Sequence, residues 1–92
     1  MKIVINSFWG GFYLSEKVIK EYEKRTGKEF RDYYYSQRSD PVLIEIIERI
    51  GVNRAGSGSA ELKIVEVPDG IEYTILDYDG VETIVEIGHF WN

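Results

Sequence analysis

The chain has 92 residues, no cysteine, 43 % hydrophobic residues and a formal net charge of -5. This composition suits one domain with one modest core, and it excludes disulfides, thiolate nucleophiles and zinc–thiolate centres. No apolar run approaches the ~18 residues of a membrane helix, and the first residues do not read as a secretory signal.

KIVIN, residues 2–6, reads as a strand with apolar side chains on both faces, which places it centrally. NSFWGGFYLS follows, with two glycines among four aromatics. Ser15 is a good N-cap and Glu16 puts a negative charge in the first turn. Leu14, Val18 and Tyr22 recur at helical spacing, and Gly27 falls where a left-handed cap would close the helix, so a helix is predicted over residues 15–26. The tyrosines and Phe30 of KEFRDYYYSQ favour a weak strand over residues 31–35. Asp40-Pro41 is the clearest helix start in the chain, an N-cap acid followed by a proline whose missing N–H costs nothing there. Leu43, Ile46, Ile47 and Ile50 then line one face up to Gly51.

NRAGSGSA, residues 53–60, is a polar glycine-rich loop. Residues 61–67 read as a strand, Pro68-Asp69-Gly70 as a turn and residues 71–87 as a hairpin. A two-residue turn at Asp79-Gly80 would set Asp77 opposite Glu82 and Tyr73 opposite Glu86, mixing apolar and charged groups. A three-residue loop, Tyr78-Asp79-Gly80, segregates them instead and is the expected register. The order implies an α+β domain, with two helices on one face of a largely antiparallel sheet that ends in a β-hairpin.

Residues 1–35 carry a net +2 and residues 36–92 a net -7, with seven acids and no Lys or Arg after Lys63. Non-specific nucleic-acid binding runs on basic patches, so nucleic acid is not the expected partner, and neither is a membrane. The acidic half can face a basic protein or simply be solvated. One histidine, His89, supports neither a Ser-His-acid set nor a metal site and reads as a surface or tail residue. No pair of carboxylates stands out for acid–base work, so no catalytic residue, metal or cofactor is assigned.

The two glycine-rich stretches are the candidate binding elements. NSFWGGFYLS joins a strand to a helix, where backbone N–H groups and the helix dipole can hold an anion, although it matches no nucleotide fingerprint. Exposed aromatics beside glycines can stack a planar ligand. Arg38, Arg54, Ser57 and Ser59 add forked cations and hydroxyls suited to phosphate. The predicted ligand site is therefore Asn6, Trp9, Gly10, Gly11 and Phe12 with Arg38, Arg54, Ser57 and Ser59.

Four stretches, in order, carry a resemblance: MKIVIN…GGF.LS, R.DP.L…IE.IG, A.GS…LKIVE.PDG and Y.I..YDG.E. Together they resemble a family of small uncharacterised proteins of tailed bacteriophages and prophages, over residues 1–86. The chain departs from that pattern at GHFWN, where a more basic tail is usual. The resemblance implies a viral product in the host bacterial cytoplasm and carries no established activity. Three functions follow as expectations. The first is sequestration of a small anionic or nucleotide-like ligand, with an anti-defence role. The second is inhibition of a host protein through the acidic C-terminal hairpin. The third, an enzyme, is disfavoured because no catalytic set is visible.

Overall fold

The computed structural model describes residues 1–87, so His89 and the GHFWN end lie outside the described residues. Its order is β1 (Lys2–Asn6), α1 (Glu16–Thr26), a 3-10 turn (Tyr35–Ser39), α2 (Pro41–Ile50), the one-turn α3 (Val52–Ala55), β2 (Leu62–Glu66), β3 (Tyr73–Tyr78) and β4 (Val81–Glu86). The caps fall where the sequence puts them. Ser15 Oγ accepts the Val18 N–H, and Gly27, at φ 70°, ends α1. Asp40 Oδ1 accepts the Val42 N–H at 2.9 Å with Pro41 next in line, and Gly51 closes α2.

The architecture is α+β, built in three layers. β1 and β2 pair antiparallel from Lys2↔Glu66 to Asn6↔Leu62. Val4, on one face, joins the core to which α1 and α2 contribute Val18, Tyr22, Leu43 and Ile47. Ile3 and Ile5, on the other face, pack against Ile75 of a second two-stranded sheet, the β3–β4 hairpin. β1 is apolar on both sides because it lies between the helices and the hairpin.

Two expectations fail locally. Residues 31–35 form no strand: Tyr34 N–H donates to the Arg31 carbonyl and Gln37 N–H to the Tyr34 carbonyl, giving turns that lead into the 3-10 segment. The Gln37 side chain closes the loop by accepting the Arg31 N–H and donating to the Glu29 carbonyl. The hairpin also takes the other register, with Tyr73↔Glu86, Ile75↔Ile84 and Asp77↔Glu82 around a two-residue Asp79-Gly80 turn. Both turn residues have positive φ, 52° and 90°, as an Asp-Gly hairpin turn requires. Asp77 Oδ1 braces that turn by accepting the Gly80 N–H at 2.8 Å. Segregation of charge from core does not decide the register, because Glu82 is buried with a partner from another element.

Candidate binding cleft

The glycines of the opening loop serve to admit the β3–β4 hairpin. Gly10 and Gly11 have φ 97° and 109°. A Cβ on Gly80 would sit 2.2 Å from Gly11 N and 2.6 Å from Gly10 N, so loop and hairpin turn touch backbone to backbone. Gly10 N–H donates to the Asp79 carbonyl at 3.2 Å. Asn6 ties the junction together: its Nδ2 donates to the Phe8 and Gly80 carbonyls, each at 2.6 Å, and its Oδ1 accepts the Glu61 N–H at 2.9 Å. Asn6 is fully buried and occupied, which makes it a structural residue and not a ligand contact.

Arg38 is equally committed. It is 1 % exposed, and it forks onto Glu82, Nη1 to Oε1 at 2.8 Å and Nη2 to Oε2 at 2.9 Å. Nη1 also donates to the Val4 carbonyl and Nη2 to the Asp32 carbonyl. The guanidinium lies 3.5 Å over the centre of the Phe12 ring. Glu82 Oε1 in turn accepts the Asn6 N–H at 2.9 Å. In the β1–β2 pairing, Val4 and Asn6 turn their main-chain groups away from β2. The Arg38–Glu82 pair meets both groups and stands where a third strand would lie. This is also why residues 31–35 find no strand edge there. Arg38 Nε is the one buried side-chain nitrogen or oxygen among the described residues with no hydrogen-bond partner.

Around this pair a cleft of about 450 Å³ opens between residues 10–13, residues 32–38 and the hairpin end, residues 77–82. Of the predicted site, Gly10, Gly11, Phe12 and Arg38 line it. Trp9, Arg54, Ser57 and Ser59 do not. The 53–60 loop does reach the glycine loop, but as a brace: Ser57 N–H donates to the Tyr13 carbonyl and Ser59 Oγ to the Trp9 carbonyl. Arg54 is exposed on α3, away from the cleft lining.

Besides Gly80 and Glu82, sequence reasoning missed six residues of the lining: Tyr13, Tyr33 and Tyr35, with Asp32, Asp77 and Asp79. Apart from Tyr13, the signals for them in the sequence are the acid–aromatic runs DYYY and DYDG. With Arg38 cancelled by Glu82, three exposed aspartates set the sign of the cleft. A second depression of about 250 Å³, lined by Leu14, Ile19 and Phe30, shares Phe12, Tyr13, Asp32 and Tyr33 with it. Arg31 borders that depression and pairs with Glu29.

Among the described residues no His, Cys, Asp and Glu cluster is arranged to hold a metal, and no helix is long and apolar enough to cross a membrane. No protein-family model, curated protein or solved structure matches the chain.

Proposed function

We propose that this chain is a binding protein that acts without chemical turnover, and that its cleft takes a cationic group. The observation that carries the reading is the charge balance at the cleft. Its one arginine is neutralised by a forked, buried carboxylate, while Asp32, Asp77 and Asp79 stay exposed beside three tyrosine rings. Carboxylates with aromatic faces suit an ammonium or guanidinium, each cation–π contact contributing about 0.5–2 kcal/mol. An anionic or nucleotide-like ligand would need Arg38 or Arg54 free at the cleft. Arg38 is spent on Glu82 and Arg54 does not line the cleft. The resemblance to small phage proteins supplies a setting for this reading: a viral product that blocks a host component by occupying it.

Thermal unfolding against matched panels tests the charge of the ligand. Guanidinium and ammonium compounds are set against nucleotides and other phosphates. A ligand at ~100 times its dissociation constant raises stability by about 2.7 kcal/mol. Stabilisation by cations that weakens with added salt supports the reading. Stabilisation by nucleotides alone overturns it and restores the anionic ligand.

A further inference from the structure

We infer that the cationic group belongs to a protein partner: an extended segment that carries an arginine or lysine beside an apolar residue. This inference rests on the cation-binding reading of the same cleft and narrows its occupant. Three observations lead to it.

First, the acidic cleft and the apolar depression share the wall formed by Phe12, Tyr13, Asp32 and Tyr33. A basic side chain on one side of that wall leaves a neighbouring apolar side chain over Leu14, Ile19 and Phe30. Second, Arg38 is the one cation of the cleft lining and is forked onto the buried Glu82, so no free positive charge there opposes a basic side chain. Third, large rings stand exposed on the segments that frame the cleft: Tyr13 at 56 %, Tyr33 at 63 % and Tyr78 at 77 %. Tyrosine is enriched at the energetic centres of protein interfaces, and a single small cation would leave these rings uncovered. The aspartates steer a basic segment inward, so the charges are complementary.

The test uses fluorescein-labelled peptides in a neutral Gly/Ser background that carry Arg or Lys, a Leu or Phe, or the two adjacent. Arginine amide and spermidine serve as small-cation controls. The adjacent pair is expected to bind at least about tenfold more tightly than either residue alone, because two subsites are filled. Asp32→Asn with Asp77→Asn should weaken it by about tenfold or more and flatten its salt dependence. Both changes are isosteric, and the amide oxygen at 77 can still accept the Gly80 N–H. Glu45→Gln with Glu48→Gln, an equal loss of charge on the exposed face of α2, should leave binding unchanged. If arginine amide or spermidine binds as tightly as the best peptide, the protein-segment inference falls and the cation reading stands. If neither peptides nor small cations bind a folded protein, both fall.

Discussion

At the scale of single residues, Arg38 and Glu82 matter most. A buried ion pair is often replaceable by apolar residues of similar size without loss, because desolvation offsets the attraction. This pair differs because it also satisfies the Val4 carbonyl and the Asn6 N–H at the open edge of β1. Arg38→Ala leaves Glu82 buried and unpaired and should cost about 3–5 kcal/mol in urea unfolding. The double variant Arg38→Met with Glu82→Leu removes the unpaired charge but orphans both backbone groups, each worth about 1–3 kcal/mol. It should therefore remain destabilised by at least about 2 kcal/mol. Full recovery of stability would show that the pair does not serve as the missing strand. Ser15, Gly27, Asp40 and Gly51 were legible in the sequence because a cap acts within four residues of itself. The burial of Glu82 was not, since its partner is an arginine 44 positions away.

At the scale of elements, α1 and α2 are joined by Tyr22, whose hydroxyl donates to Asp40 Oδ2 at 2.8 Å. Burial, together with that carboxylate, pushes the Tyr22 phenol up to about 12 from its ordinary 10. A phenol raised in the folded state stabilises fully below the unfolded value. That contribution is lost as pH rises through the folded one, so it should disappear between about 10 and 12. Unfolding followed by circular dichroism across that range should show the loss, and Tyr22→Phe should remove this component. An unchanged alkaline profile in Tyr22→Phe would place the effect elsewhere. The helices and β1 could be read from periodicity alone because their apolar faces repeat locally. The hairpin register could not: two registers compete, and the deciding contacts, Gly80 on the glycine loop and Glu82 on Arg38, are made by tertiary packing. Residues 31–35 have strand-like composition but no edge to pair with, so context overrides propensity.

At the scale of the whole molecule, the sequence points to a site at the glycine–aromatic loop, and a cleft opens there that Gly10, Gly11, Phe12 and Arg38 line. The glycines pack against the hairpin turn and the arginine is neutralised, so the cleft presents acids and tyrosines. Half of that lining comes from DYYY and DYDG, stretches far apart in the chain whose meeting depends on the three-layer stack. The sign of the cleft is thus a property of the fold, although every residue that sets it is visible in the sequence. Amide chemical shifts of ¹⁵N-labelled protein test that sign directly. Titration with arginine amide should move the Gly10, Gly11 and Gly80 signals together, while a nucleoside monophosphate at the same concentration leaves them in place. Movement of those three glycines by the nucleotide and not by arginine amide would contradict the account.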